Sequence, residues 1–267
     1  MPIASGLHFD LQGPEGGAPL LLSSGLGGSA SYWAPNLAAL AATHRVITYD
    51  HRGTGRSDRL LPPSVSVDDI ADDMLAVLHA AGAPQVSIVG HAAGAVAALA
   101  LALKAPERID RLVIVNGWSQ PDPHFLRCFE ARLTLLRAAG AEAYLRAQPI
   151  FLYPADWISR HDSDLNAELA HQLDQFPGAE TMEKRIAALA AFDIRRRLAE
   201  ITAPTLVVIA RDDMLVPPLA GDRLASGLPN AMKLEFDHGG HACNITAAEE
   251  FNRIVPAWLN AERRKDT

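Results

Sequence analysis

The stretch Gly90-His91-Ala92-Ala93-Gly94 decides the fold of this chain. Its glycine spacing is that of a nucleophile elbow, a tight turn between a strand and a helix that lifts the central side chain above a sheet. Serine is expected at the centre of such a turn, but Ala92 stands there. Because a methyl group is not a nucleophile, two interpretations are possible. The protein either has no catalytic activity or uses a nucleophile that is not one of its own side chains.

The sequence on both sides of the elbow alternates between β-rich runs and helical stretches. This alternation predicts the α/β class, with a mainly parallel sheet and helices on both of its faces. One helix is predicted to begin after Ser66, which forms a capping-box pattern with Asp69, and another to run from the elbow to Lys104. The predicted strands are Pro19–Ser23, Arg45–Tyr49, Gln85–Val89, Arg111–Val115, Thr205–Ala210 and Lys233–Phe236.

Residues 118–200 break this alternation, because helical stretches follow one another there without a convincing strand. The sequence therefore predicts a core formed by two segments, 1–117 and 201–267, and a helical cap inserted at 118–200. An insertion after one strand of such a sheet would lie over the carboxyl ends of the strands, where open α/β sheets bind ligands.

Composition and charge favour a small-molecule partner. The 24 Lys and Arg against 31 Asp and Glu give a net charge of −7, which disfavours nucleic acid or an anionic membrane as the main partner. The first residues lack the regions of a signal peptide and no run of about 18 apolar residues follows, so we expect a cytoplasmic protein. Cys128 and Cys243 are too few for a disulfide framework, and no His/Cys cluster has zinc-ligand spacing, so no metal or cofactor is implied. The sequence leaves open whether the protein forms a homodimer.

Five segments resemble the α/β-hydrolase family, and together they span nearly the whole chain. Leu22–Gly28 resembles the oxyanion loop, Tyr49–Ser57 the Asp-x-Arg-Gly-x-Gly-x-Ser turn, and Val89–Gly94 the elbow. Ala210–Pro217 resembles the loop that carries the catalytic acid, and Gly239–His241 resembles the loop that carries the catalytic histidine. The resemblance implies the α/β-hydrolase fold.

The resemblance also implies a base and its acid. His241 takes the place of the catalytic histidine, and Asp213 that of the acid that orients its ring. Asp212 is adjacent and is the alternative acid, and Ala210 stands where the family has glycine. Either carboxylate could instead lie exposed in the loop.

The missing serine leaves the rest of this machinery in place. The backbone amides of Leu26 and Ala93 would still form the oxyanion hole, since that hole needs no side chain. The vacant position at Ala92 would leave room for a water molecule that His241, held by Asp213, activates as general base. The resulting hypothesis is direct attack by water, without an acyl-enzyme.

A closer resemblance is to the RutD family of pyrimidine degradation, whose elbow also tolerates alanine. It rests on four segments, Gly25–Trp33, Asn116–Trp118, Gln148–Trp157 and Gly240–Asn244. This resemblance implies a hydrolase of uracil catabolism that acts on carbamate or 3-aminoacrylate and releases ammonia. Both reactions proceed readily without an enzyme, which makes the loss of a covalent nucleophile chemically tolerable.

Several residues near these segments are candidates for lining the substrate pocket, although packing alone would explain each of them. They are Ser24, His91, Trp118, Tyr153 and Trp157. An anionic substrate would be helped by a nearby cation, but the sequence identifies none.

Two other classes of function stay open. The retained pocket could bind a metabolite or a partner in a protein without catalytic activity, or the base could serve a cofactor-free oxygenase or lyase. A weaker hypothesis is that a side chain at another position has become the nucleophile. The candidates Ser23, Ser24 and Cys243 would each be poorly placed relative to the base and the oxyanion donors.

Overall fold

A computed structural model describes residues 3–261 of the chain. One sheet is built from eight strands: β1 (Ile3–Ala4), β2 (Leu7–Gln12), β3 (Ala18–Ser23), β4 (His44–Tyr49), β5 (Val86–His91), β6 (Ile109–Val115), β7 (Thr205–Ala210) and β8 (Ala231–Phe236). Their order is β1-β2-β4-β3-β5-β6-β7-β8. The pairings from β4 to β8 are parallel, and only those of β1 with β2 and of β2 with β4 are antiparallel.

The helices follow the strands in the manner of an α/β protein, except in one long helical segment. They are α1 (Ala34–Ala41), α2 (Val67–Ala80), α3 (Ala93–Lys104), α4 (Pro123–Leu152), α5 (Ala155–Arg160), α6 (Asp162–Asp174), α7 (Ala179–Ala191), α8 (Pro218–Gly227), α9 (Cys243–Thr246) and α10 (Ala248–Asn260). The helix α4 breaks at Gly140, whose φ of 81° lies outside the helical region.

Helices cover both faces of the sheet, as the sequence predicts. Side chains alternate between the faces along each strand. Leu21 packs with the cluster under α2, α3 and α8, while its neighbours Leu20 and Leu22 pack with the cluster under α1 and α10. The strand β5 shows the same division at Ile88 and Val89. This double burial explains why the central strands read as continuous apolar runs.

All six predicted strands are present, and each end lies within two residues of its predicted position. The capping box at the start of α2 is also confirmed, since the Ser66 Oγ accepts from the Asp69 amide and an Asp69 carboxylate oxygen accepts from the Ser66 amide. Strands β1 and β2 were not predicted. Leu7, Phe9 and Leu11 alternate with polar residues, which is the signal that would have found β2.

The helices α4 to α7 lie between β6 and the strand β7, and no strand occurs among residues 118–200. Several hydrogen bonds join this segment to loops at the carboxyl ends of the sheet, and two of them reach the loops that carry Leu26 and His241. The Leu152 carbonyl at the end of α4 accepts from the Ala242 amide at 3.0 Å, and the Arg185 guanidinium of α7 donates to the Leu26 carbonyl at 3.1 Å. The segment therefore sets the position of both loops.

The elbow between β5 and α3 requires glycine because Gly94 lies very close to β3 and Gly90 lies very close to the first turn of α3. The Gly94 amide donates to the Ser24 carbonyl at 3.0 Å. A Cβ atom on Gly94 would lie 2.2 Å from the Ser23 carbonyl oxygen, and one on Gly90 would lie 2.5 Å from the Gly94 carbonyl oxygen. Both contacts are with backbone atoms, which cannot rotate away.

We expect the substitution Gly94→Ala to lower the free energy of unfolding by about 3 kcal/mol or more, because the added methyl group must separate α3 from β3. The matched control is Gly16→Ala, at an exposed position where an added Cβ meets nothing within 4 Å. Urea denaturation of both variants checks this. Equal stability of the two variants would contradict the close approach at the elbow.

Candidate active site

A large cavity of about 730 Å³ lies at the carboxyl ends of the strands, between the sheet and the helices α4, α6 and α7. We call it the large cavity. Its lining includes Ala92 at the elbow, Leu26 and Ala93, whose amides are the predicted oxyanion donors, and His241. The structure therefore brings the predicted base, the vacant nucleophile position and the two amides to one site.

The side chain of His241 is held by Asp213. A carboxylate oxygen of Asp213 lies 2.8 Å from Nδ1 of His241, and both side chains are buried. The other oxygen accepts from the amides of Leu215 and Val216 at 2.8 and 2.9 Å. Because an ionised carboxylate can only accept, the His241 Nδ1–H is the donor. This leaves the Nε2 lone pair of His241 unused by any described residue.

The adjacent carboxylate of Asp212 has a different place. It accepts from the amides of Gly239 and Gly240, at 2.9 and 2.8 Å, and so fixes the backbone that leads to His241. Thus Asp213 touches the imidazole, whereas Asp212 holds its loop.

The backbone carbonyl of His241 is fixed from the other side by two donors. Nε2 of His91 lies 2.8 Å from this oxygen, and the Asn116 Nδ2 lies 2.7 Å from it. Since a carbonyl only accepts, His91 carries its proton on Nε2. Burial and the nearby His241 hold the pKa of His91 well below its usual value, so it is neutral. The sequence did not single out Asn116 as a functional candidate, although it directly follows β6 at the carboxyl edge of the sheet.

The elbow itself is strained. Ala92 has a φ of 47° and a ψ of −106°, a region that costs a residue with a Cβ about 1–3 kcal/mol. This backbone directs the Ala93 amide out of the first turn of α3, where the helix dipole is positive. Neither this amide nor that of Leu26 donates to any other residue between positions 3 and 261. Both are available to an oxygen that gains negative charge.

The buried Arg185 of α7 fixes the loop that carries Leu26. Its three guanidinium nitrogens donate to the carbonyls of Leu26 and Arg52 and to Nδ1 of His51, at 3.1, 3.3 and 2.9 Å. Burial lowers the pKa of Arg185 to about 10. Because Nδ1 of His51 accepts, its Nε2 donates to the Ser23 hydroxyl at 3.1 Å. No local sequence pattern indicates this contact, because it joins residues 159 positions apart.

The weaker idea of a displaced nucleophile finds no support in this geometry. The Ser23 hydroxyl is buried between His51 and Tyr49. Burial, together with the negative charge of Asp213, raises the pKa of the Cys243 thiol to about 12. Ser24 lines the large cavity, but its hydroxyl has no hydrogen bond to a base.

Most of the predicted pocket residues do line the large cavity, namely Ser24, His91, Trp118 and Tyr153. Trp157 is not among the residues that line it. Its ring stacks on His161 at 4.0 Å and packs against Tyr153 at 4.4 Å, so it supports a lining residue from behind.

Within residues 3–261, no group of three or more His, Cys, Asp or Glu side chains is arranged to hold a metal ion. No helix in that range is long and apolar enough to cross a membrane.

Comparison with known proteins identifies the class. Residues 18–248 match the family described as alpha/beta hydrolase fold. The crystal structure of an enol-lactonase from Burkholderia xenovorans superposes with a TM-score of 0.86 at 26% identity, covering 97% of this chain and 98% of the enol-lactonase. The protein is therefore a member of the α/β-hydrolase fold family.

Closer relatives identify the particular family. A protein from Caulobacter segnis is 54% identical over 257 residues, which cover 95% of this chain and 96% of the relative. One from Caulobacter vibrioides is 52% identical over 256 residues, 95% of each chain. Both carry the name "Putative carbamate hydrolase RutD". Within the hydrolase class, this chain belongs to the RutD family, as its resemblance predicts.

The buried histidines predict how stability depends on pH. Burial and Arg185 hold the pKa of His51 well below its usual value in the folded protein. As the pH falls below about 6.5, the unfolded chain therefore binds a proton that the folded one does not, and stability is lost. One such group contributes a slope of about 1.4 kcal/mol per pH unit.

We expect His51→Gln to flatten the pH dependence of the unfolding free energy by about this amount between about pH 6 and 5. The control is His79→Gln, at an exposed position, which should keep the wild-type slope. Denaturation curves at several pH values measure both. A wild-type slope in His51→Gln would show that His51 is not buried in its neutral form.

Proposed function

We propose that this protein is a hydrolase of pyrimidine degradation that cleaves the C–N bond of carbamate or 3-aminoacrylate by direct attack of water. One observation carries this proposal. His241 is oriented by Asp213 through Nδ1, while its Nε2 has no partner among the described residues and the ring lines the same cavity as Ala92. The names of the RutD relatives support carbamate as the substrate.

For carbamate, the base and the amides have complementary tasks. His241 removes a proton from water as the water oxygen attacks the carbamate carbon, a contribution of roughly 10²–10⁴-fold. The amides of Leu26 and Ala93 stabilise the carbamate oxygen as it gains charge, each by roughly 10²–10³-fold. The protonated His241 then gives its proton to the departing nitrogen. Carbamate and water thus become ammonia and bicarbonate.

For 3-aminoacrylate, water adds to the imine tautomer instead. His241 takes a proton from the water as its oxygen bonds to the imine carbon, and returns a proton to the nitrogen. The C–N bond of the resulting carbinolamine then breaks as the hydroxyl proton passes to the nitrogen, which gives ammonia and 3-oxopropanoate. Neither reaction needs a covalent bond to the protein, so Ala92 is compatible with both.

The principal alternative is a protein that binds a ligand without catalysis, and Ala92 is the observation that favours it. The hydrogen bonds around His241 favour the hydrolase. Four side chains, those of His91, Asn116, Asp212 and Asp213, fix this residue or its loop. A pocket that only binds a ligand does not require a base held in one tautomer.

We expect His241→Ala to lose the accelerated release of ammonia from fresh carbamate or 3-aminoacrylate, down to the rate in buffer, because the base is gone. A coupled ammonia assay measures this, with His79→Ala as a control that keeps wild-type activity. A wild-type protein no faster than buffer would leave only the binding alternative. Activity that survives in His241→Ala would exclude the proposed base, and oxygen uptake would instead indicate a cofactor-free oxygenase.

We expect Ala92→Ser to create weak activity towards activated esters, with an initial burst and labelling of the new serine by a fluorophosphonate. The strained turn, the base and the oxyanion donors are already in place around this position. The double variant Ala92→Ser/His241→Ala is the control and should not label. A folded Ala92→Ser protein that resists labelling would show that Nε2 of His241 does not face position 92.

A further inference from the structure

The helix α4 places a cation without a carboxylate partner beside the large cavity. Arg132 lines this cavity and is only 4% exposed. Its guanidinium carbon lies 5.7, 5.0 and 5.6 Å from the ring centroids of Phe129, Tyr144 and Phe151. No carboxylate among residues 3–261 lies within 4.0 Å of it. A buried charge without a counter-ion is strongly destabilising, so this arrangement needs an explanation.

The acidic side chains that line the large cavity do not supply that counter-ion. Asp10 and Asp50 form ion pairs with Arg56, at 3.0 and 2.8 Å. Glu168 lies on the exposed surface of α6 and forms no ion pair with Arg132. The cation therefore remains unpaired within the described part of the chain.

The hydrogen bonds of Arg132 are also incomplete. Nη2 donates to the Tyr144 hydroxyl at 2.7 Å and to the Gln148 side-chain oxygen at 3.2 Å. Nε and Nη1 donate to no atom of the described residues, and Nε is fully buried. Arg185 differs, because backbone carbonyls and an imidazole occupy all three of its nitrogens. Arg185 is thus satisfied by the fold, whereas Arg132 is not.

Other buried polar atoms without partners line the same cavity. They include the Trp118 indole N–H and the Ser24 hydroxyl. Buried donors in folded proteins are almost always satisfied by some acceptor. A cation, an indole N–H and a hydroxyl around one cavity match an occupant that carries negatively charged oxygens. Of the three rings around Arg132, those of Phe129 and Tyr144 also line the cavity, which favours an occupant with a small organic skeleton over a strongly hydrated ion.

We propose that Arg132 is the anion-binding residue of the large cavity and that it holds the carboxylate of a small organic acid, the substrate. This rests on the proposed function, because it assigns the substrate a negative charge in the cavity that contains His241. Both candidate substrates carry a carboxylate. In 3-aminoacrylate the carboxylate is separate from the carbon that water attacks, whereas in carbamate it contains that carbon.

The test uses two stable probes of equal shape, propionate and its neutral analogue propionamide. Isothermal titration with the full-length protein measures the affinity of each. We expect the wild type to bind propionate about tenfold more tightly or better, since a charge-assisted hydrogen bond distinguishes the two probes. Arg132→Met should lose this preference, and Arg132→Lys should retain part of it. The control Arg137→Met, at an exposed position of the same helix, should behave as wild type.

Thermal unfolding distinguishes an anion site from a structural role. An unpaired buried cation opposes folding, so Arg132→Met should have a Tm equal to or above that of the wild type. If Arg132 only braced Tyr144 and Gln148, the variant would melt earlier and the probe preference would not change. Should Arg132→Met fail to fold, Arg132→Gln retains a donor towards Tyr144 and replaces it in the titration. Equal binding of both probes by the wild type overturns the proposal.

The same titration in the variant His241→Ala separates this inference from the proposed hydrolysis. A propionate preference that depends on Arg132 and persists in His241→Ala supports the anion site even if no ammonia is released, and in that case only the hydrolase proposal fails. A preference unchanged in Arg132→Met overturns the anion site, whatever the rate. In active protein, the substrate whose kcat/KM falls about tenfold or more in Arg132→Met is the one that Arg132 holds.

Discussion

The candidate site depends on one backbone constraint, the left-handed turn at Ala92. Alanine has no intrinsic reason to adopt a φ of 47°, and the strain of about 1–3 kcal/mol must be offset by the surrounding structure. Close packing supplies that compensation, because Gly94 lets the turn lie against β3 and Gly90 lets it lie against the first turn of α3. The turn fixes the direction of the Ala93 amide at the start of α3. The constraint therefore preserves the proposed oxyanion donor even though position 92 carries no nucleophile.

A second group of contacts holds the proposed base, His241, at the cavity that this turn lines. Asp213 binds the imidazole of His241, while His91 and Asn116 hold its carbonyl. On the opposite side, Arg185 holds the loop of the other amide donor. The contacts of His241 come from β5, from the residue after β6 and from the loop after β7, whereas the contact to the Leu26 carbonyl comes from α7. Such preorganisation is the main means by which a protein can assist attack by water.

Local sequence signals predicted the sheet and the elbow well, because β-rich runs, capping residues and glycine spacing act over a few positions. The motifs also indicated His241 and the two adjacent acids, Asp212 and Asp213. They did not show which carboxylate contacts the imidazole ring and which one contacts the backbone of the loop. Arg132 and Arg185 escaped prediction for a physical reason. The role of each arginine depends on the residues that α4 and α7 contact in the folded protein, and a local sequence pattern does not show those contacts. The packing of Trp157 against Tyr153 and His161 depends on tertiary contacts in the same way.

The central claim is that the missing side chain at Ala92 is replaced by a water molecule that His241 polarises. A high-resolution crystal structure of the unmodified protein tests this most directly. The account predicts an ordered water over the Ala92 methyl group, about 2.6–3.2 Å from Nε2 of His241 and within hydrogen-bond reach of the Ala93 amide. A His241 ring turned away from the large cavity, or a side chain that fills the position over Ala92, would contradict it.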